Sequence, residues 1–209
     1  MGDMGELIYL SERAADRSRS SGESAAVYLA LDCPLSYLLA ERVERELGAL
    51  EWVPVISAFG ERSMLQPDAR RAAAANQSLH LAESLAVDLG LPLVRPQRYP
   101  MQSRAASRVA VFAGEIGGSD CARVYELAIL RLAFCGGYDI NDRQVIVDAA
   151  AAAGIGAATA KRVAREPRFD LQLDATTHGL VRRQAPAPPL IRIGDRWFGG
   201  IDPIISVSA

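Results

Sequence analysis

Cysteine and histidine are scarce in this 209-residue chain, aromatic residues make up only 6%, and neither sign of charge prevails. Each shortage excludes a class of chemistry. The three cysteines, Cys33, Cys121 and Cys135, form an odd and widely spaced set without a Cys-x-x-Cys pair, unlike the disulfide framework of a small secreted domain. If Cys121 and Cys135 ride on one helix, their fourteen-residue separation spans roughly 21 Å at about 1.5 Å per residue. That exceeds the ~7 Å Cα limit for a disulfide, so both read as buried fillers. The two histidines, His80 and His178, lie far from any cysteine in sequence, so zinc-ligand spacing is missing and no metal is expected. With 23 basic against 25 acidic residues, no basic surface is implied that would draw the chain to nucleic acid or an anionic membrane. No apolar run approaches the roughly 18 residues of a membrane span, and the start lacks the cationic and apolar parts of a secretion signal. A cytoplasmic protein with small-molecule partners is expected.

Half of the residues are hydrophobic, enough for one compact domain or one domain with a large insertion. After a short apolar run at Leu7–Leu10, the stretch from Ser11 to Ser24 is polar and aperiodic and reads as a connector. Ala25–Leu31 suits a buried central strand. It ends at Asp32-Cys33-Pro34, where proline fits a first helical turn, and Leu35, Leu38, Leu39, Val43 and Leu47 follow at helical spacing. Glu51–Ile56 is a second strand candidate whose internal Pro54 points to a strand end or an edge position. The middle is helical: Pro67–Leu89, then Ser103–Glu115 and Asp120–Cys135 around a break at Gly117-Gly118. An Ala-rich helix capped by Asn141 or Asp142 follows, then Ala157–Arg165 and Phe169–Leu180. Beyond Pro186, Pro188 and Pro189, the segments Leu190–Ile193 and Arg196–Phe198 read as a hairpin across Gly194-Asp195.

Cys33-Pro34-Leu35-Ser36 is the sharpest constellation. A helix N-terminus offers unpaired N–H groups and partial positive charge that favour a thiolate, and the Ser36 hydroxyl could donate to the sulfur. The Asp32 carboxylate opposes ionisation through like charge. As an isolated pair, Cys-Pro reads equally as a small apolar residue at a strand end.

The run Tyr28-Leu29-Ala30-Leu31-Asp32-Cys33-Pro34-Leu35-Ser36-Tyr37-Leu38 resembles the strand-to-helix signature of the 2-hydroxychromene-2-carboxylate isomerases and kappa-class glutathione transferases, within the DsbA clan. Further similar segments follow in family order: Leu91-Pro92-Leu93 with Arg98-Tyr99-Pro100, the helix from Ser103 to Ala113, Leu132–Ile140, Ala187–Gly194 and Gly200-Ile201-Asp202. The resemblance implies an α/β thioredoxin-like fold with a large all-helical insertion domain. Its parts would be an N-terminal extension at 1–24, a thioredoxin-like domain at 25–60 and 183–209, and the insertion at 61–182. It further implies catalytic Cys33 and Ser36, with glutathione or another small thiol held by Pro34, Ala187, Pro188, Ile201 and Asp202. Pro188 would be a cis-proline, with Ala187 before it pairing by backbone with the thiol peptide. Asp202 would hold the γ-glutamyl end. Relatives often dimerise, so a homodimer is an expected arrangement.

Three departures bear on the reaction. Cys33 stands where the isomerases carry serine, and Ser36 stands where a DsbA oxidase has its second cysteine, so two-cysteine exchange is unavailable within the site. Ile201 lacks the family's polar side chain, and Ser57-Ala58-Phe59-Gly60 replaces its Thr-Gly-Asn segment. Three readings remain open: a monothiol oxidoreductase with Cys33 as nucleophile, a glutathione-dependent isomerase or transferase, and a non-catalytic binding module. Arg98, Arg104 and Arg108 read either as a cationic rim for a carboxylate substrate or as a solvated face, and Trp52 and Trp197 as packing aromatics.

Overall fold

The computed structural model of the protein describes residues 24–47, 50–57 and 68–200. Strand β1 (Ala25–Ala30) leads into helix α1 (Pro34–Glu46), which returns the chain to β2 (Glu51–Val55), parallel to β1. Five helices follow: α2 (Asp68–Asp88), α3 (Arg104–Phe134), α4 (Arg143–Ala152), α5 (Ala157–Val163) and α6 (Arg168–Arg182). Strands β3 (Leu190–Ile193) and β4 (Arg196–Gly199) then form an antiparallel hairpin, completing a sheet of order β2-β1-β3-β4.

The alternation of strand side chains organises the interior. Val27, Leu29 and Leu31 enter a large core with Tyr37, Leu38, Leu39 and Val43 of α1 and with much of α3. Ala26, Tyr28 and Ala30 face the other way, into a smaller cluster with Cys33, Val55, Leu180 and Leu190. β1 is buried on both faces, which accounts for its nearly unbroken apolar sequence.

Pro54 marks an edge, as its sequence context predicts, and the structure closes that edge with side chains. On β2 the residues of one parity aim their backbone groups away from β1. The Trp52 N–H donates to Ser119 Oγ (3.2 Å) and the Ile56 N–H to Thr177 Oγ1 (3.2 Å). Between them Pro54 has no N–H to satisfy. Ser119 also donates to the Leu50 carbonyl (2.8 Å), and Thr177 to that of Leu173 (2.8 Å).

The break expected at Gly117-Gly118 is a full reversal inside α3. Gly118 has φ 64° and ψ −159°, a conformation open to glycine and costly for other residues. The Tyr125 hydroxyl donates to the Ala106 carbonyl at 3.0 Å, whereas nineteen residues of straight helix would hold them roughly 28 Å apart. The two arms of α3 therefore pack against each other. α4 starts at Asp142, whose carboxylate accepts from the Gln144 N–H (2.7 Å).

Cys121 and Cys135 are half-buried and hydrogen-bonded, where the sequence reading has buried fillers. Cys121 Sγ donates to the Ala153 carbonyl (3.6 Å), and Cys135 Sγ to Tyr37 Oη (3.1 Å). Arg104 and Arg108 form no rim. Arg108 holds Asp170 with two hydrogen bonds (2.8 and 2.7 Å), and Arg104 reaches Asp170 and Asp174 (3.1 and 3.3 Å), clamping α3 to α6. Arg98 is exposed. Trp52 is buried, and Trp197 packs on Tyr28 with ring centroids 5.7 Å apart.

Thr177→Val keeps the side-chain volume and leaves the Ile56 N–H without an acceptor. It should cost about 1–2 kcal/mol in urea unfolding; an unchanged midpoint would show that the edge does not depend on this bond.

Candidate active site

Cys33 is the N-cap of α1, with extended backbone (φ −105°, ψ 121°) and Pro34 opening the first turn. The turn from β1 closes through the Cys33 N–H donating to the Ala30 carbonyl at 3.0 Å. Ser36 is fully buried, and its hydroxyl accepts from the Ala30 N–H at 3.1 Å. That hydroxyl stitches strand to helix; the hydroxyl recorded facing the sulfur is Ser78 of α2, whose Oγ lies 4.0 Å from Cys33 Sγ.

The residue Cys33 is only 2% exposed. Desolvation pushes its thiol pKa up, and the Asp32 charge adds to the rise. The N–H groups of Ser36 and Leu35 and the Ser78 hydroxyl pull it down less strongly. The helix terminus does favour the thiolate, as the sequence implies, but burial wins and the sulfur is a neutral thiol near pH 7.

Asp32 is buried beside it. Oδ2 accepts from the Ser57 hydroxyl at 2.8 Å, while Oδ1 has no partner among the described residues. Burial pushes its carboxyl up to about 6, with the Ser57 bond and its own backbone N–H acting against the rise. Tyr99 lies close enough for its phenol to feel both Cys33 and Asp32, although burial is the larger cause of its raised pKa. Its hydroxyl donates to the Ala75 carbonyl of α2 at 3.2 Å.

Across the strand end lies the proline loop. β1 and β3 pair antiparallel up to Tyr28 opposite Leu190. Pro188-Pro189 leads directly into β3 at Leu190, whose partner Tyr28 stands two residues before Ala30, the residue that closes the Cys33 turn. The cis peptide joins Pro188 to Pro189, so the cis residue is Pro189, one position later than the sequence reading places it. Pro188 takes the preceding position assigned there to Ala187, which is exposed. Proline has no N–H, so this position can accept a backbone hydrogen bond and cannot donate one. A second cis bond precedes Pro100. Ile201 and Asp202 lie outside the described residues, as does residues 1–23 of the expected N-terminal extension.

A family model for the DSBA-like thioredoxin domain matches residues 27–206. The chain belongs to this family. The DsbA-like domain is thus an α/β thioredoxin-like fold with helices inserted between β2 and β3. Solved structures agree. A 2-hydroxychromene-2-carboxylate isomerase superposes with TM-score 0.69 at 18% identity, covering 85% of this chain and 89% of its own. The cytosolic disulfide reductase DsbM from Pseudomonas aeruginosa gives TM-score 0.59 at 16% identity, covering 84% and 87%. Its structure with GSH gives 0.50 at 18%, covering 84% and 88%. At such identities the likeness speaks for the fold alone. A search of curated proteins finds no match. Among the described residues no acidic, histidine and cysteine cluster could hold a metal, and no helix is long and apolar enough to cross a membrane.

Sequence reasoning missed Ser57, Ser78 and Tyr99 as neighbours of this site. Ser57 carried a local signal, since it follows directly on β2. Ser78 carried none, because only the packing of α2 brings it to Cys33.

The raised Asp32 value has a sign that can be tested. Folding raises this pKa above its unfolded value near 3.9, so the folded state holds the proton more tightly. The resulting stabilisation is complete below about pH 4 and is lost as pH rises through about 6, amounting to about 2–3 kcal/mol. Asp32→Asn removes the linkage. Between about pH 4 and about pH 8 the wild-type melting temperature should fall roughly 5 °C further than that of the variant. Parallel profiles would show that Asp32 ionises normally.

Proposed function

We propose that the protein is a small-thiol-dependent enzyme of isomerase or transferase type, in which the N-terminus of α1 receives the sulfur of glutathione or a similar thiol beside Cys33. The observation that carries this reading is the burial of Cys33 at the N-cap of α1: desolvation there favours the protonated thiol, which can donate its S–H to an incoming thiolate, as a serine hydroxyl would. All three cysteines are free. The DsbM structure with GSH supports a small thiol as ligand within this fold.

The residues fit the sulfur end of such a thiol. The first-turn N–H groups of Leu35 and Ser36 and the partial positive charge of α1 favour its anionic form, and the Cys33 S–H adds a directed donor. The Pro188 carbonyl offers one backbone bond to the peptide portion. When bound, the thiol supplies a nucleophile that adds reversibly to an unsaturated substrate and departs again. Ser78 and α2 cover Cys33 in this conformation, so entry of a thiol requires that contact to open. The competing reading, monothiol exchange, needs Cys33 itself as thiolate, and burial beside Asp32 opposes that ionisation.

Substitution at one atom separates the two. In the proposed role Cys33→Ser retains glutathione-dependent isomerisation of a conjugated aromatic substrate within about tenfold, while Cys33→Ala loses about 100-fold. Complete loss in Cys33→Ser, with a mixed disulfide on wild-type Cys33 seen by mass spectrometry, would replace the proposal by monothiol exchange.

A further inference from the structure

The loop that carries the chain from α6 into β3 reads Pro186-Ala187-Pro188-Pro189, and three of its four residues have no backbone N–H. Four carbonyls thus accompany a single donor, the N–H of Ala187. The stretch is a nearly pure hydrogen-bond acceptor.

Its shape is also fixed. Proline holds φ at about −65° in three positions. Pro189 is buried, and Pro186 lies so close to β4 that a methyl group on Gly199 would collide with it. Pro188 sits half-buried between these two anchors, and its carbonyl has no hydrogen-bond partner among the described residues. The loop therefore cannot turn a peptide unit to present a donor in place of that carbonyl.

Two observations set Pro188 beside the Cys33 turn. Leu190, two residues on, belongs to the same apolar cluster as Cys33. Pro188 also lines one cavity together with Ser57, which donates to Asp32, the neighbour of Cys33. An extended peptide pairs with a neighbouring backbone through alternating N–H donors and carbonyl acceptors. Along Pro186–Pro189 its N–H groups find acceptors, whereas a carbonyl turned towards residue 188 loses water and gains no donor.

We propose that this loop selects among thiols by the donors they carry, and that the favoured guest is an N-acyl aminothiol, whose N–H two carbons from the sulfur donates to the Pro188 carbonyl, rather than a peptide thiol such as glutathione. The inference rests on the thiol-dependent reading above, which places the sulfur of the guest at the N-terminus of α1. Pro188 is then a specificity-determining residue that acts through the N–H it lacks.

Amide titrations of the full-length protein with two matched thiols test it. N-acetylcysteamine carries the N–H alone, whereas N-acetylcysteine N-methylamide adds the carbonyl of a peptide. Both should shift the Leu35 and Ser36 amides, and the first should bind about five- to tenfold more tightly. Pro188→Ala supplies the missing N–H; it should tighten the methylamide about five- to tenfold while N-acetylcysteamine stays within about twofold. Pro186→Ala, which leaves residue 188 untouched, should preserve the wild-type preference. Equal or tighter binding of the methylamide by the wild-type protein overturns the inference without recourse to any variant. A Pro188→Ala protein that changes both affinities alike overturns it too, since that marks a purely structural role. If neither thiol shifts Leu35 and Ser36, the thiol reading falls and takes the inference with it; shifts from both without a preference remove the inference alone.

Discussion

Burial of the junction between β1 and α1 is the constraint on which the site depends. Cys33 caps the helix that returns the chain to β2, yet its side chain belongs to the cluster formed by the opposite face of β1, α6 and β3. One residue thus faces two opposed demands. The helix terminus offers its sulfur a stabilisation of about 0.3–1 kcal/mol as an anion, whereas removing an ion from water costs several kcal/mol. The second is larger, and the thiol stays protonated. Asp32 obeys the same balance, with the Ser57 hydroxyl, its own backbone N–H and the Ser103 hydroxyl opposing the effect of burial, and its carboxyl rises to about 6.

The surrounding framework places its charges where they hold helices together. Glu41 of α1 is almost fully buried and receives two hydrogen bonds from Arg131 (2.6 and 2.9 Å). Arg108 spans from α3 to Asp170 of α6 and also donates to the Ala164 carbonyl (2.9 Å). The Arg108 guanidinium holds the Asp170 carboxyl below the usual range. The first pair ties α1 to α3 and the second ties α3 to α6, and α6 in turn supplies Thr177 to the sheet edge. The electrostatics of the interior therefore position the groups around the sulfur, and among the described residues none of the neighbours that shift its pKa is a cation.

Much of the architecture was legible in the chain because its signals are local. The unbroken apolar run of β1, proline at the first turn of α1, Pro54 at a strand end or edge, a cap at Asn141 or Asp142, the break at Gly117-Gly118 and the hairpin around Gly194-Asp195 each rest on a few adjacent residues. The Gly118 case shows the limit. Sequence gives a break, but the hydrogen bond from Tyr125 to Ala106 is needed to know that the chain doubles back. Arg104 and Arg108 fail for the same reason, since their partners lie more than sixty residues away in α6.

By itself the sequence determined where a sulfur would meet a helix N-terminus, because apolar strand runs, helix starts and turns are properties of short segments, whereas a proline-rich loop facing that sulfur was only what the family resemblance implied. Only the tertiary structure decided the state of that sulfur. Whether Cys33 ionises depends on how much water and charge the packed chain leaves around it, and that environment is built by Asp32, Ser78 and α2 together with the opposite face of the sheet. Desolvation is a sum over everything nearby in space, and no local pattern of residues encodes it.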